Sequence, residues 1–206
     1  DPWRDADRLN GLSIQAEYHL RMGDRDAGLR AYEEAVVAVD GIDDPQSRLA
    51  VERTEAIVAI FEGRGGDAFE IGRRHALDTP FAPVLSVAIA VEGASIVGDP
   101  DMLRVAEELA GGLAANPVRS TLLLWTTGMR ALVDGDVDAG VEAIDAVAET
   151  FERRHMLFQA FEVRALAARH LPDGHPKRDE YITVARDMAE RTGAPGLASW
   201  LTDMVS

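Results

Sequence analysis

The sequence predicts an all-α fold in which about five antiparallel helical hairpins stack into a superhelical solenoid that ends in a C-terminal capping helix. Apolar residues recur at positions i, i+3, i+4 and i+7 along nearly the whole chain. Glycine-containing turns divide these stretches into pairs, and no strand-like alternation competes with them. Because a helical hairpin cannot bury its own apolar face, the pairs must stack on one another. A single domain, 1–206, is therefore predicted, with turn glycines at Gly23, Gly66, Gly98, Gly135 and Gly174.

Glycine and proline delimit the first two hairpins. The first is predicted at residues 5–22 and 25–39, and Gly41 with Asp43-Asp44-Pro45 ends it, because proline disfavours helix in the residue before it. The second is predicted at residues 46–62 and 68–77, and Thr79-Pro80 ends it. Its loop, 63–67, reads Gly-Arg-Gly-Gly-Asp. Nucleotide-binding loops need a preceding strand or a following Gly-Lys-Ser/Thr, so this loop is predicted to be a turn.

The remaining hairpins follow the same rules. The third is predicted to start at Phe81 or Ala82, to reach residue 97, and to return over 101–115. Its first helix is apolar on nearly every side from residue 84, which predicts the most buried helix of the chain. The fourth occupies 120–133 and 137–151, and the fifth 156–170 and 178–191. A capping helix is predicted at 197–204, after the Gly193-Ala194-Pro195 stop.

One segment of the fourth hairpin is spaced like a calcium-binding loop. From Asp134 to Asp145, acidic residues occupy positions 1, 3, 5, 9 and 12 of a twelve-residue loop. Such loops need a sharp bend at position 6 and usually a Glu at position 12, where this chain has Ala139 and Asp145. Helical spacing continues through Ala139. The segment is therefore predicted to be a repeat turn, and no metal or other cofactor is expected.

Catalytic patterns are not recognisable in this sequence. The five histidines lie neither at i, i+4 on one helix nor in His-Glu-x-x-His, so solvated loop histidines are favoured over metal ligands. The chain has no cysteine, which excludes disulfides and Cys nucleophiles. Serine and histidine occur in no nucleophile context, so no enzyme is predicted. An enzyme would need a pocket with convergent polar groups of perturbed pKa.

Charge and composition narrow the choice of partner. A formal net charge of −15 repels phosphate backbones, so neither nucleic acid nor an anionic membrane is expected as a direct partner, whereas neutral or cationic partners fit. No run approaches the roughly 20 apolar residues that span a bilayer, and no signal-peptide pattern is found, so a cytoplasmic location is expected. The single lysine, Lys177, among 21 basic residues suggests a GC-rich bacterial genome. The helix-like first residues suggest an excised part of a longer protein.

Surface shape is the remaining indication of function. Stacked hairpins form a concave wall from the first helix of each pair, and this wall is the usual binding surface. One of its helices contains Glu92. Because aromatic and arginine side chains dominate binding energetics, the candidate groove residues for a ligand or partner are Tyr18, Arg53, Trp125, Arg130, Phe158, Glu162 and Arg164. For Trp125 and Phe158, packing between hairpins is favoured over a role in the groove.

Positions in two hairpins match a known repeat. Gly128 stands seven residues before Gly135, and Asp136 follows that turn glycine. In the first hairpin the corresponding small, turn and aromatic positions are Ala16, Gly23, Asp24, Gly28, Tyr32 and Ala35. This pattern resembles the tetratricopeptide repeat. The resemblance implies an antiparallel helical-hairpin superhelix that binds a protein or a ligand.

The last quarter of the chain carries a second resemblance. The segments concerned are Phe151, Ala160-Phe161, Arg164-Ala165-Leu166-Ala167, Ala185-Arg186 and residues 189–195. They resemble the C-terminal helical repeats of large bacterial LuxR-type ATP-binding transcriptional regulators and related cyclase-linked proteins. The resemblance implies a module that senses an effector or a partner and restrains nucleotide-binding and output domains. This chain has no recognisable nucleotide-binding motif or helix-turn-helix module.

Two functional hypotheses follow from these observations. The first is a non-catalytic regulatory module of a multidomain bacterial signalling protein or transcriptional regulator, which binds a protein, a peptide or a small effector. The alternative is a free-standing scaffold that self-associates, for example as a homodimer. An apolar patch on a terminal hairpin would favour the scaffold, and the C-terminal helix offers Leu197, Trp200, Leu201 and Met204 for it.

Overall fold

A computed structural model describes residues 2–40, 42, 44–78 and 83–205. These residues form eleven α-helices and no β-strand, which confirms the all-α prediction for the described part of the chain. Of the described helices, none has the length and apolar character needed to cross a membrane. The helices are α1 (Pro2–Arg21), α2 (Arg25–Val39), α3 (Pro45–Phe61), α4 (Gly65–Asp78), α5 (Pro83–Val97), α6 (Pro100–Gly112), α7 (Pro117–Asp134), α8 (Val137–Arg153), α9 (Leu157–His170), α10 (Pro176–Arg191) and α11 (Pro195–Val205).

Consecutive helices pair into five hairpins, from α1/α2 to α9/α10, and α11 follows as the capping helix. This arrangement confirms the predicted hairpin solenoid. The predicted end signals Gly41, Asp43 and Thr79-Pro80, and the predicted start at Phe81 or Ala82, lie outside the described residues.

Four helices begin with the same local device, a proline that follows a capping side chain. Proline suits the first helical position because its φ is preset and its missing N–H has no partner to lose there. The preceding side chain accepts a backbone N–H of the first turn, as Asp44 does from Ser47 at 2.8 Å. The other three pairs are Asp99-Pro100, Asn116-Pro117 and His175-Pro176. These short-range contacts explain why the starts of α3, α6, α7 and α10 are readable from the sequence.

The second hairpin turns at a different glycine from the one predicted. Gly63 has the positive φ, 73°, and α4 already begins at Gly65, so Gly66 lies in the first helical turn. The prediction of Gly66 was wrong because three nearby glycines can each take a left-handed conformation, and only the residue that ends α3 needs it. The predicted turn glycines with positive φ are Gly23, Gly98, Gly135 and Gly174.

Helices α4 and α5 pack with their backbones in contact. A Cβ atom at Gly72 would lie 2.6 Å from the Ala90 nitrogen, and one at Gly93 would lie 2.5 Å from the Phe69 nitrogen. This contact covers α5, and all residues from 89 to 96 are buried, as its apolar sequence predicts. Helix α9 has a comparable buried run over 160–168. The first helices of the hairpins contact one another in order, so they form an inner layer, and α5 also touches α9 within it.

The C-terminal helix closes the inner layer. Its four predicted patch residues are buried, and the Trp200 ring lies 5.3 Å from the Phe61 ring and 5.7 Å from the Phe161 ring. At Gly23 an added Cβ would lie 2.2 Å from the carbonyl carbon of Gly196, so the first turn and the start of α11 are in backbone contact. The superhelix is therefore curled until its two ends meet. The expected apolar patch on the terminal helix is not a surface, because α11 packs inward.

The calcium-like segment is a hairpin turn followed by helix. Helix α8 begins at Val137, and its cap Asp136 accepts the Ala139 backbone N–H at 3.4 Å. Asp145 is bound to its neighbours on α10, with 2.9 Å to the Tyr181 hydroxyl and 3.0 Å to Lys177 Nζ. A helix cannot wrap its side chains around one ion as a calcium loop does. The repeat-turn prediction is confirmed.

Candidate functional site

The candidate site is a pocket between α5, α7 and the α8–α9 turn, called here the α5–α7 pocket. Its volume is about 480 Å³. Arg154 and Met156 of the α8–α9 turn stand at its edge, and between them His155 has a φ of 58°, which is uncommon for a residue other than glycine. Most of its wall is apolar, formed by Val84, Leu85, Ala88, Val118, Leu122, Trp125, Phe151 and Met156.

Two buried polar atoms in this wall have no hydrogen-bond partner among the described residues. They are one carboxyl oxygen of Glu92 and Trp125 Nε1, on side chains that are 5% and 1% exposed. The Trp125 ring packs edge-on against Phe151, with 6.1 Å between the ring centroids. An unsatisfied buried polar group costs about 1–3 kcal/mol, so a bound group that satisfied these two atoms would recover that free energy. A cavity of similar size between α4, α5 and α6, about 460 Å³, has no such atom in its described wall.

Behind the pocket, Glu92 pairs with a second buried carboxyl group. Glu162 of α9 is 1% exposed and is hydrogen-bonded to Glu92. Burial raises the pKa of Glu92 to about 7, while the nearby charge of Arg21 opposes this rise. Burial, and then the charge of Glu92, raise the pKa of Glu162 well above its usual range. Burial therefore favours a proton on this pair, and the proton is held in the hydrogen bond between the two carboxyl groups.

Arg21, at the end of α1, connects this carboxyl pair to the first hairpin. Its guanidinium carbon lies 4.6 Å from the centre of the Phe158 ring, and its Nε lies 3.1 Å from Glu17 Oε1. The other oxygen of Glu17 accepts from Arg53 at 3.3 Å. Two arginines, Glu17 and the carboxyl pair thus meet behind the pocket. The set has no net charge when the carboxyl pair holds one proton.

The structure brings together four of the seven predicted site residues and separates three. Trp125 lies in the pocket wall, Glu162 and Phe158 stand behind it, and Arg53 joins them through Glu17. The other three point elsewhere: Tyr18 is 60% exposed on α1, Arg130 pairs with Glu107 of α6, and Arg164 pairs with Glu152 of α8 at 2.7 Å. Trp125 packs against Phe151, and Phe158 is partly buried between Phe61 and Phe161, so both pack between helices. A binding role for the seven residues stays a prediction.

Sequence analysis missed Arg21, Arg154 and Gln159 in this site, and it did not select Glu92 among the site residues. A sequence signal for Glu92 exists, because it is the only charged residue of α5. A lone glutamate in an otherwise apolar helix has to be buried with it, and a buried carboxyl needs a partner. Arg21 carries no such signal. It ends an ordinary amphipathic helix, and only the curl of the superhelix moves it next to α5 and α9.

The histidines differ in part from the prediction of solvated loops. His75 is buried and bonds Glu52 Oε2, and His170 Nε2 lies 2.7 Å from the Ser95 carbonyl oxygen. Both belong to helices that pack closely on neighbours, which periodicity alone does not reveal. Among the described residues, no three histidine, aspartate or glutamate side chains form a group that could hold a metal ion.

Comparison with known proteins finds no match for this chain among protein-family models, curated proteins or solved structures.

Proposed function

We propose that this chain is a non-catalytic regulatory module that binds a small effector in the α5–α7 pocket. The supporting observation is an apolar pocket of about 480 Å³ whose wall contains two buried polar atoms without partners. Small-molecule sites have this character: they are concave, mostly apolar, and carry a few polar groups that orient the ligand. A ligand that satisfies those atoms recovers the free energy that their burial costs.

The position of the pocket supports a regulatory role. Its wall joins Arg21 of the first hairpin to Met156 and Gln159 near the start of α9, residues far apart in the chain. A ligand held between such elements favours one arrangement of them, so its binding free energy can shift the shape of the superhelix. This fits a sensor domain within a multidomain bacterial signalling or transcriptional regulator of the cytoplasm, as the resemblance of the last quarter implies. Protein or peptide partners would respond to the changed shape.

A catalytic role has less support from the same residues. The carboxyl pair meets the requirement for perturbed groups in a pocket. Catalysis also needs a nucleophilic group or a bound water within hydrogen-bonding distance of that pair. Thr121 is the hydroxyl residue among the described lining residues, and its Oγ1 donates to the Pro117 carbonyl oxygen at 2.9 Å. Binding therefore accounts for the pocket with fewer assumptions.

Occupancy of the pocket can be tested with N-phenyl-1-naphthylamine, an apolar dye that is uncharged at neutral pH and fluoresces when it leaves water. We expect saturable binding with one site per chain. The variant Ala88→Phe fills the pocket, because Ala88 lies in its wall, and should abolish the signal. The matched control is Ala27→Phe, a partly buried alanine in the first turn of α2, which should bind as the wild type does.

Equal dye binding by the wild type and Ala88→Phe would place the dye elsewhere and remove the pocket as the effector site. Circular dichroism of both variants separates this result from misfolding. No saturable binding by the wild type would also contradict the proposal.

The alternative, a self-associating scaffold, is favoured by a separate observation on the first hairpin. Ile14 and Tyr18 lie one helical turn apart on α1 and are 63% and 60% exposed, and Val37 of α2 is 75% exposed. If these side chains join two copies, light scattering should reveal a dimer that the double variant Ile14→Ser, Tyr18→Ser returns to a monomer. A wild-type monomer at high concentration would exclude this alternative.

A further inference from the structure

We infer that the α5–α7 pocket selects ligands that carry a protonated amine on an apolar body, and that Glu92 receives the ammonium group. This inference rests on the proposed function, since it names the chemical class of the effector. Three features of the pocket support it. They are the polar atoms of its wall that lack a hydrogen-bond partner, the charged side chains behind the wall, and the aromatic rings that line the pocket together with Glu92.

One hydrogen-bond acceptor without a partner at this pocket is a carboxyl oxygen of Glu92. Glu92 lines the pocket and is almost completely buried, and its hydrogen bond to Glu162 leaves one of its two carboxyl oxygens without a partner among the described residues. A ligand hydrogen-bond donor is the group that satisfies this oxygen once Glu92 is ionised. The second atom without a partner, Trp125 Nε1, is a donor, so an acceptor atom of the ligand that reached it would satisfy it.

Arg21, the lining arginine beside Glu92, is already engaged, which argues against an anionic ligand group at this end of the pocket, whereas the other lining arginine, Arg154, is exposed at the edge. Arg21 donates to Glu17 and lies over the Phe158 ring, and it also faces the carboxyl pair. An anion would have to compete with Glu17 and would bring its own charge close to Glu92. The net charge of −15 also concentrates cations near the protein.

The aromatic wall suits an organic cation. Trp125 and Phe151 line the pocket together, and an ammonium group near the face of an aromatic ring gains about 0.5–2 kcal/mol from the ring quadrupole. The remaining wall is aliphatic and would hold the apolar body of the ligand. A hydrated inorganic cation gains nothing from such a wall, so the pocket suits an amine on an apolar molecule.

Binding of a cation should be linked to proton release from Glu92. The charged groups that face Glu92 are Arg21 and Glu17 on α1 and Glu162 on α9, and α5 itself contributes no other charged residue. Burial holds the pKa of Glu92 at about 7, so this carboxyl is only partly ionised at neutral pH. A bound ammonium favours the ionised form, so affinity should rise as the pH increases from 6 to 8, and a proton should be released on binding.

The test uses three probes of the same shape: 2-phenylethylamine, 2-phenylethanol and 3-phenylpropionate. Each is titrated against the bound dye at pH 6 and pH 8 by displacement. We expect the amine to bind about 10-fold more tightly than the alcohol at pH 8, the magnitude of one charge-assisted hydrogen bond in a shielded site. The preference should shrink at pH 6, and the carboxylate should bind most weakly.

Three variants separate the role of Glu92 from general effects on the fold. Glu92→Gln keeps the shape but loses the charge, so the amine should lose its advantage while the alcohol binds as before. Glu162→Gln should retain the amine preference, because the amide can still donate to Glu92. Glu149→Gln, an exposed residue of α8 paired with Arg153, is the charge-matched control and should change nothing.

The outcomes distinguish the two proposals. Equal displacement by the three probes, or the same amine preference in Glu92→Gln, would overturn the ammonium inference and leave the effector pocket standing. A preference for the carboxylate would transfer ligand recognition to one of the lining arginines, Arg21 or Arg154, and also overturn it, as would a failure of all three probes to displace the dye. If the dye itself does not bind in the pocket, that result contradicts the proposed function, on which the ammonium inference rests. Should Glu92→Gln not fold, loss of the amine preference in Glu162→Gln would contradict the inference independently.

Discussion

The hairpin α7/α8 and the centre where α1, α5 and α9 meet are built by different kinds of interaction. In the hairpin, Asn116 caps α7, Gly135 ends it in the left-handed conformation, and Asp136 caps α8. Each of these contacts spans only a few residues of sequence. In the centre, Arg21, Glu92 and Glu162 come from three separate hairpins. The hairpin is therefore a local structure that repeats, whereas the centre exists only when the whole superhelix is curled.

The largest expected effect comes from removing the side chain of Trp125, which belongs to the hairpin and lines the pocket together with Arg21 and Glu92 of the centre. Trp125→Ala should lower the free energy of unfolding by about 3–5 kcal/mol, because Trp125 is fully buried, and it should also weaken dye binding. Ile144→Ala is the comparison, since Ile144 is buried in α8 away from the pocket. It should cost about 2–5 kcal/mol and leave dye affinity unchanged. Urea unfolding measures both free energies. An unchanged stability of Trp125→Ala would contradict the burial of Trp125 and favour the groove position that the sequence predicted.

The carboxyl pair in the centre should make the stability of the protein depend on pH. Burial raises the pKa of both Glu92 and Glu162, so the folded protein binds these protons more tightly than the unfolded chain. Their contribution to stability is full below the unfolded pKa and is lost as the pH rises through the folded pKa, which for Glu92 is about 7. Stability should fall by on the order of 2–3 kcal/mol between pH 5 and pH 8.

Chemical denaturation at several pH values measures this loss. The double variant Glu92→Gln, Glu162→Gln should show a much flatter profile in that window, while Glu149→Gln should keep the wild-type slope. A wild-type stability that rises from pH 5 to pH 8 would contradict the buried pair.

Glycine substitutions sharpen the comparison at a local turn. Gly63→Ala should destabilise the protein by about 1 kcal/mol, because Gly63 has a φ of 73° that alanine adopts only under strain. Gly66→Ala should stabilise it by about 0.5–1 kcal/mol, because Gly66 is helical and a Cβ there meets no neighbouring atom. The two thermal midpoints should move in opposite directions. A higher thermal midpoint for Gly63→Ala and a lower one for Gly66→Ala would show that Gly66 is the turn residue.

The smallest effect is expected at Arg130, which sequence analysis placed in the binding groove. Its ion pair with Glu107 is partly exposed, so Arg130→Ala should cost less than about 1 kcal/mol. Dye and amine affinities should stay at their wild-type values, because Arg130 is not among the pocket-lining residues. A clear loss of affinity on titration would favour the original groove hypothesis for this arginine.

The sequence predicted helices well because their ends depend on neighbours in the chain. The Asp44-Pro45 and Asn116-Pro117 starts, and the left-handed Gly135, are short-range signals. It predicted the terminal helix α11 but not its packing, since an apolar helix face can equally cover a partner or the rest of the same chain. The buried Trp200 shows the second outcome. At the site, the sequence predicted Trp125, Phe158 and Glu162 from their residue types alone, because it does not show where the pocket lies.

By itself, the sequence determined the all-α class, the five hairpins and the apolar character of α5, because helix periodicity, caps and turn glycines act within one or two turns of the chain. The tertiary structure decided how far the superhelix curls, that Gly23 meets Gly196, and that Arg21 reaches Glu92 and Glu162. These contacts join residues far apart in the chain, and Gly23 and Gly196 are 173 positions apart. Their geometry depends on the sum of all inter-helix packing angles, which no local pattern encodes.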